Sequence, residues 1–256
     1  MNMQGQGRPL SNSGMEDVCN TLGVSEPEIW AVLTVETQGF GFLKNRRPRI
    51  LFERHIFHRL TDGKHDQGNG SISNSKPGGY LGGAAEYDRL DAAITLDREA
   101  ALKSASWGIG QVMGFNYEVA GYRGVDAMVD AMVTDENAQI LAMARFIKGN
   151  NLAGALQRKN WVAFARGYNG PGFKQNDYDT RLAAAHAKYQ ITVPDLALRT
   201  AQAALLFLGF EPGPVDGLRG RRTRSGLILF QERFGLPQTG ELDQDTELRL
   251  VQAAFS

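Results

Sequence analysis

A well-marked helix near the start of the chain ends in an acidic residue among apolar neighbours. Ser25 can cap a helix, Pro27 fits its first turn, and Glu28 completes a capping box. The segment that follows, residues 29–36 (IWAVLTVE), repeats apolar positions at helical spacing and ends in Glu36. The pattern predicts that Glu36 lies on or beside the stripe that faces the core.

The surroundings of Glu36 suit a proton donor. Trp30 and Val35 precede it, and Phe40 and Phe42 follow it. Desolvation by apolar neighbours favours the protonated carboxyl, which glycosidic cleavage needs as a general acid near neutral pH. The alternative interpretation is an ordinary glutamate on a helix surface.

A glycine-rich turn follows about seventy positions later, in Ser104–Gly114 (SASWGIGQVMG). Gly108 and Gly110 can let the backbone pass close to a ligand, and Gln111 offers both a donor and an acceptor to a sugar. Trp107 is either a stacking face for a sugar ring or a core residue.

The third motif is Ala165–Gly172 (ARGYNGPG). Tyr168 and Asn169 can form hydrogen bonds to an N-acetyl group or to a catalytic carboxyl. A carboxylic acid, a glycine-rich wall and a Tyr-Asn pair are together the parts of a polysaccharide-cleaving cleft.

Glu53, in LFERH, is the candidate for a second carboxylate. An inverting hydrolase would place it about 6.5–9.5 Å from Glu36, and a retaining one about 5–5.5 Å. Alternatively, Glu53 pairs with Arg54 or Arg49, or anchors the strand by hydrogen bonds. Three further carboxylates are weaker candidates: Asp62, Asp66 and Glu86.

Three segments carry a family resemblance: Ile50–Phe57, Ala101–Tyr117 and Trp161–Phe173. Within the lysozyme-like superfamily they resemble the N-acetylmuramidase domain of modular phage endolysins, over about residues 13–189. The resemblance implies a mainly α fold with a small β region. It also implies hydrolysis of the β-1,4 bond between N-acetylmuramic acid and N-acetylglucosamine, with Glu36 as the catalytic glutamate. In that superfamily the Tyr-Asn pair stands across the cleft from the glutamate.

The sequence changes in texture at 190–195, where a unit of three helical segments begins. This unit resembles the three-helix peptidoglycan-binding domain in Gln202, Asp216-Gly217, Thr223, Phe230-Gln231 and Thr239-Gly240. We therefore predict a catalytic domain at 1–190 and a wall-binding domain at 195–256, and expect truncation near Pro194 to leave a folded, active enzyme. The predicted apolar positions of the three helices are Leu198, Ala201, Leu205 and Leu208, then Thr223, Leu227 and Phe230, then Leu248 and Val251.

The charge pattern of the chain bears on which partners it can bind. Lys+Arg and Asp+Glu balance at 28 each, and no basic run tracks phosphates, so we expect no nucleic-acid partner. Two arginine clusters, at 46–49 and 219–224, are either solvated surface or a means of attracting an anionic polymer. We expect peptidoglycan as the partner of a monomeric protein.

Cys19 is the sole cysteine, so a core rather than disulfides must stabilise the fold, and the thiol is expected to be buried. Residues 1–12 are predicted to be a frayed lead-in without a secretory h-region, and no run of about 18 apolar residues predicts a membrane span. The expected history is synthesis in the host cytoplasm, followed by release to the periplasmic peptidoglycan.

Three other functions remain compatible with the sequence. A lytic transglycosylase would need one acid and would leave 1,6-anhydro products. His55, His58 and His65 have spacing that zinc can use in an amidase or peptidase, although no HExxH pattern accompanies them. A non-catalytic wall-binding protein is the third. We expect no metal or cofactor.

Overall fold

The computed structural model describes residues 3–37 and 39–256. Its first part is mainly helical with one small sheet, as the sequence predicts. The helices are α1 (Asn12–Leu22), α2 (Glu26–Thr37), α3 (Arg54–Leu60), α4 (Glu86–Leu96), α5 (Arg98–Lys103), α6 (Val125–Thr134), α7 (Glu136–Gly149), α8 (Ala153–Gln157), α9 (Trp161–Asn169) and α10 (Tyr178–Ile191). Short 3-10 helices cover Gly83–Ala85, Gly114–Asn116 and Pro171–Asn176.

The sheet is antiparallel and has the order β1 (Ile50–Phe52), β2 (Ala105–Trp107) and β3 (Val112–Met113). Ile50 lies opposite Trp107, and Trp107 lies opposite Val112. The glycine-rich turn at 108–111 therefore joins two neighbouring strands, and β1 leads directly into α3. Residues 50–60 thus pass from a strand to a helix at Glu53.

Helix α2 begins as predicted but is buried more completely. The Ser25 backbone N–H donates to Glu28 Oε2 at 3.1 Å, which confirms the reciprocal half of the capping box. Residues Ile29–Leu33 are each at most 1% exposed, so the helix is surrounded by protein rather than showing one apolar stripe. It packs mainly against α10 and carries Glu36 in its last turn.

Residues 3–11, the described part of the segment before α1, are not a frayed lead-in; residues 1 and 2 lie outside the described residues. Met3 and Leu10 are buried, and the Leu10 N–H donates to Glu136 Oε2 at 2.8 Å. The carbonyl of Gln6 accepts a hydrogen bond from Arg46 at 2.6 Å. Its polar, glycine-rich composition suggested disorder, but partners that are distant in sequence satisfy its backbone groups.

The C-terminal part consists of three helices, α11 (Leu196–Leu208), α12 (Arg221–Arg233) and α13 (Gln244–Phe255), as predicted. Two buried glutamines stabilise its loops. Gln202 accepts from the N–H groups of Asp216 and Gly217 at 3.0 and 2.8 Å, and Gln231 accepts from Gly240 N–H at 2.9 Å. Several motif residues of this unit therefore hold its loops in place by hydrogen bonds inside the domain.

The core positions of α13 were predicted one step out of phase. Leu248 is 56% and Val251 is 36% exposed, whereas Leu250, Ala254 and Phe255 are buried. Asp243 caps the helix by accepting from Thr246 N–H at 2.8 Å, but the cap does not fix which side of the helix faces the bundle.

The C-terminal unit shares its core with the loop that follows α2. Phe40 and Phe42 lie in one apolar cluster with Leu205, Phe230 and Phe255. The Phe40 and Phe207 ring centroids are 6.0 Å apart. These two phenylalanines were predicted to surround Glu36, but they pack against the helices of the other unit.

Among the described residues, no single helix is both long and apolar enough to cross a membrane. One pair, Tyr178–Ile191 with Leu196–Leu208, meets the criteria of length and composition only when joined, and it is bent by 114°.

Candidate active site

Glu36 lies at the end of α2, and the third motif comes directly to it. Asn169, the last residue of α9, donates from Nδ2 to Glu36 Oε1 at 2.9 Å. The resemblance implied a Tyr-Asn pair across a cleft from the glutamate, but the structure places Asn169 in contact with it. This contact is the other hydrogen bond that the motif predicts for Asn169, the one to a catalytic carboxyl.

Burial raises the pKa of Glu36 to about 7, the direction expected from its apolar neighbours. The hydrogen bond from Asn169 and the positive charge of Arg181 act in the opposite direction and lower the pKa. Desolvation is the larger effect. A substantial fraction of Glu36 is consequently protonated near neutral pH, as a general acid requires.

Two residues of α10 that the sequence analysis missed belong to this environment. Arg181 donates to the Val35 carbonyl at 3.2 Å. Burial, and to a smaller extent the charge of Glu36, raises the pKa of Tyr178. Burial, and then Glu36, raise the pKa of Tyr168 well above its ordinary value, and its hydroxyl donates to the Gly110 carbonyl at 2.6 Å. No local motif marks α10, because its approach to α2 is a matter of tertiary packing.

The glycines of the second motif allow close contact with α7 rather than with a ligand. A Cβ on Gly108 would lie 2.6 Å from Gln139 Cδ, and one on Gly110 would lie 2.6 Å from Met143 Cβ. Gln139 also accepts from the Ile109 N–H at 2.7 Å. The turn therefore packs closely against α7. The Tyr168 hydroxyl donates to the Gly110 carbonyl of the same turn.

Trp107 lies in the core. It is 0% exposed, and its indole N–H donates to the Leu102 carbonyl at 3.1 Å, so the structure contradicts a sugar-stacking role. The Gln111 amide donates to the Gly108 and Arg49 carbonyls at 2.9 and 3.3 Å, and it accepts from Ser106 at 2.8 Å. Gln111 therefore holds the turn, and its side-chain donors are engaged within the protein.

Glu53 has partners that the sequence analysis did not name. It accepts from the Tyr80 hydroxyl at 2.8 Å, and the Nδ1 of His55 lies 3.1 Å from Glu53 Oε2. The predicted pairing with arginine is wrong. Arg54 instead donates to three carbonyls of the 70–77 loop, and Arg49 donates to the Phe40 carbonyl. Anchoring by hydrogen bonds, the other structural interpretation, is what the contacts show.

Two of the weaker acidic candidates, Glu86 and Asp66, have internal partners, whereas Asp62 is exposed. Glu86 is fully buried and accepts from Arg89 and from the backbone of Phe52, Leu81 and Gly82. His58 contacts Asp66 at 2.8 Å. In the part of the chain that the structure describes, no group of three or more His, Cys, Asp or Glu side chains has the arrangement of a metal site. Cys19 is half-buried, and burial with two nearby glutamates raises its pKa to about 11, which disfavours the nucleophilic thiolate.

The arginines of the first cluster are half-buried, and two of them lie over aromatic rings. The Arg46 guanidinium lies 4.5 Å from the ring centroid of Phe207, and that of Arg47 lies 4.3 Å from Tyr87. These arginines cover aromatic rings inside the molecule. The second cluster, at 219–224, lines a cavity of about 270 Å³ in the C-terminal unit together with Glu241.

Comparisons with known proteins agree with this architecture. The N-acetylmuramidase family model matches residues 25–190, and a peptidoglycan binding domain model matches residues 195–250. The crystal structure of the Burkholderia AP3 phage endolysin is 39% identical, with a TM-score of 0.66 over 72% of this chain and 72% of that chain. No curated protein matches the chain.

The fold, the partly buried acid at the end of α2 and these matches define a glycoside hydrolase that acts on peptidoglycan. The chain belongs to the N-acetylmuramidase family, with its peptidoglycan-binding domain on the C-terminal side. The resemblance inferred from the three sequence motifs and from the C-terminal segment is thereby confirmed.

Proposed function

We propose that the protein is an endolysin that hydrolyses the β-1,4 bond between N-acetylmuramic acid and N-acetylglucosamine, with Glu36 as its general acid. The observation that carries this proposal is a partly buried carboxyl at the end of α2 that accepts a hydrogen bond from Asn169 and whose pKa burial raises to about 7. A carboxyl of this kind is still protonated at a pH where other glutamates have ionised.

In this mechanism the Glu36 proton passes to the leaving glycosidic oxygen as the bond to the anomeric carbon breaks. The Nδ2 of Asn169 then stabilises the carboxylate that forms. The ionised Glu36 carboxylate then orients the attacking water and acts as its base. The hydroxyl of that water joins the anomeric carbon, and its remaining proton restores Glu36.

A single carboxyl with an oriented water accounts for the activity without Glu53. Glu53 and Glu36 have different sets of partners, and Glu53 accepts from Tyr80 in the loop at 78–83. We therefore propose that Glu53 anchors this loop. Its role as a second carboxylate remains the alternative.

The decisive test is the chemistry of the products. Wild-type protein acting on purified peptidoglycan should release muropeptides with reducing ends, identified by mass spectrometry. Glu36→Gln should lose about 10²–10⁴-fold or more of this activity while remaining folded. Recovery of 1,6-anhydro muropeptides would instead make the protein a lytic transglycosylase. Near-normal turnover by folded Glu36→Gln would remove Glu36 from the mechanism.

We further propose that the cavity beside the N-terminus of α12 binds the wall. Arg219, Arg221 and Arg224 line it, and peptidoglycan stem peptides carry carboxylates that arginine binds well. In the inactive Glu36→Gln background, Arg221→Glu should reduce co-sedimentation with peptidoglycan. Lys148→Glu, the same charge change on an exposed residue of α7, is the matched control. Equal sedimentation of the two variants would place wall binding elsewhere.

Two further points complete the proposal. We infer that the protein works as a monomer, because the site is assembled from α2, α9 and α10 of one chain. We also infer that it acts on periplasmic peptidoglycan after release from the cytoplasm. Sedimentation velocity tests the first point, and fractionation of lysing cells tests the second.

A further inference from the structure

A fully buried ion pair joins the two parts of the chain. Glu136, the first residue of α7, pairs with Arg199 of α11, and both side chains are 0% exposed. Glu136 also accepts from the Leu10 and Gly41 N–H groups at 2.8 and 2.7 Å, and Arg199 also donates to the Gly39 carbonyl. Buried charges are tolerated only with such partners, so the pair requires this arrangement of backbone.

The backbone that this pair holds is the segment immediately after the proposed acid. Gly39 and Gly41 follow Glu36 by three and five positions. The carbonyl of Gly39 is bound from the C-terminal unit, and the N–H of Gly41 is bound from α7. The end of α2 is thus fixed by groups that lie about 95 to 160 positions further along the chain.

Contacts with aromatic rings hold the same segment. The Arg199 guanidinium lies 5.7 Å from the ring centroid of Trp30 and 5.4 Å from that of Phe40. Phe40 and Phe42 themselves are part of the apolar core of the C-terminal unit. A flexibly tethered wall-binding module would not need any of these contacts.

We propose that Arg199 is a positioning residue for the hydrolysis reaction, and that the C-terminal unit completes the active site by fixing the backbone that carries Glu36. This inference rests on the proposed role of Glu36 as general acid. It assigns the C-terminal unit a second role besides wall binding, one that concerns turnover rather than affinity for the wall.

A soluble substrate separates the two roles. A module that only raises local enzyme concentration on an insoluble polymer contributes nothing to kcat on short soluble glycan fragments. A unit that positions the acid contributes fully, because displacement of a catalytic group by about 1 Å can cost on the order of 10²-fold. The experiment therefore uses the full chain and soluble fragments of peptidoglycan glycan strands.

The principal variant is Glu136→Gln/Arg199→Met, which removes the pair without changing net charge. We expect kcat to fall by at least about tenfold. KM should change by less than about threefold in either direction. Looser packing admits water to Glu36 and lowers its pKa, so the basic limb of the kcat/KM profile should move to lower pH. The other groups that face Glu36, namely Tyr168, Asn169, Tyr178 and Arg181, are unchanged in this variant.

Lys44→Met/Glu211→Gln is the matched control, because it also removes an ion pair without changing net charge. The Lys44–Glu211 pair likewise joins the two units, but its side chains are 59% and 58% exposed. This control should keep wild-type kcat and pH profile. Hydrogen exchange adds a readout independent of activity: the Gly41 amide should be protected in wild type and in the control, and should exchange faster in Glu136→Gln/Arg199→Met.

If Glu136→Gln/Arg199→Met does not fold, Arg199→Lys serves in its place, since it keeps the charge beside Glu136 but lacks the forked guanidinium that bonds both Glu136 and the Gly39 carbonyl. Wild-type kcat, pH profile and exchange in the folded double variant, or in Arg199→Lys when that substitutes, would overturn the inference. Failure of the proposed function has a different signature, namely a wild-type protein that cleaves no glycan bond.

Discussion

The pKa of Glu36 results from opposing influences that different parts of the fold supply. Burial raises it, while the amide of Asn169 and the charge of Arg181 lower it. The balance leaves the acid about half protonated near pH 7, so activity should decline as the pH rises through that value. At the scale of single residues, Asn169 is where this balance can be changed most cleanly.

Asn169→Ala should move the basic limb of the kcat/KM profile to higher pH. The Asn169 N–H stabilises the ionised carboxylate, so its removal favours the protonated form and raises the pKa of Glu36. A hydrogen bond to a charged group contributes about 1.5–3 kcal/mol, which corresponds to roughly one to two pH units.

Asn150→Ala is the matched control for this measurement. Asn150 donates from an exposed position to the Phe146 carbonyl at the end of α7, and its removal should leave the limb in place. A limb that moves to lower pH in Asn169→Ala would show that the variant hydrates Glu36. That result would contradict the electrostatic role given to the amide.

At the scale of elements, the loop at 78–83 presents exposed apolar side chains beside β1 and α3. Tyr80 is 47% and Leu81 is 63% exposed, and the glycines on both sides have positive φ. Burial and the contact with Glu53 raise the pKa of Tyr80 to about 12, so its hydroxyl remains a donor at all working pH values. The contact between Tyr80 and Glu53 therefore persists wherever the enzyme is active.

Replacement of Glu53 distinguishes an anchor from a second carboxylate. Glu53→Gln keeps an acceptor for Tyr80 and should retain kcat within about threefold, whereas Glu53→Ala should loosen the loop and raise KM. Tyr80→Phe, which removes the same hydrogen bond from the other side, should resemble Glu53→Ala.

Steady-state kinetics and melting temperatures of the three variants test this prediction. A loss of tenfold or more in kcat for Glu53→Gln, at an unchanged melting temperature, would restore the second-carboxylate role. In that case Tyr80→Phe should stay close to wild type, because the hydroxyl would not be needed for the chemistry.

At the scale of the whole molecule, the shared core changes what truncation is expected to do. The sequence suggested that 1–194 would fold and remain active. Removal of 195–256 would expose Phe40 and Phe42 and leave Glu136 as an unpaired buried charge, a loss that typically costs about 3–5 kcal/mol. We now expect 1–194 to be poorly soluble or to melt well below the full chain.

A nicked protein provides the control for truncation. Cleavage of the full chain between α10 and α11 leaves both halves in place and should preserve folding and turnover. Calorimetry and assays on soluble fragments compare the three forms. A truncated protein with the melting temperature and kcat of the full chain would show that the two units are independent.

Local sequence determined the parts of this protein that depend on nearby residues. The helix start at Ser25, the strand and helix of residues 50–60 and the three C-terminal helices follow from caps, periodicity and turn residues. The acid was also visible, because Glu36 lies among apolar residues in its own helix. The sequence motifs were also sufficient to identify the families of both domains.

Tertiary structure decided which side chains meet. Trp107 belongs to the core, Asn169 contacts Glu36, and Arg181 arrives from a helix without a motif. The pairing of Glu136 with Arg199, 63 positions apart, could not be read from either segment. Caps and periodicity act over a few residues, whereas the burial of a charge and the pKa of an acid depend on everything that packs around them.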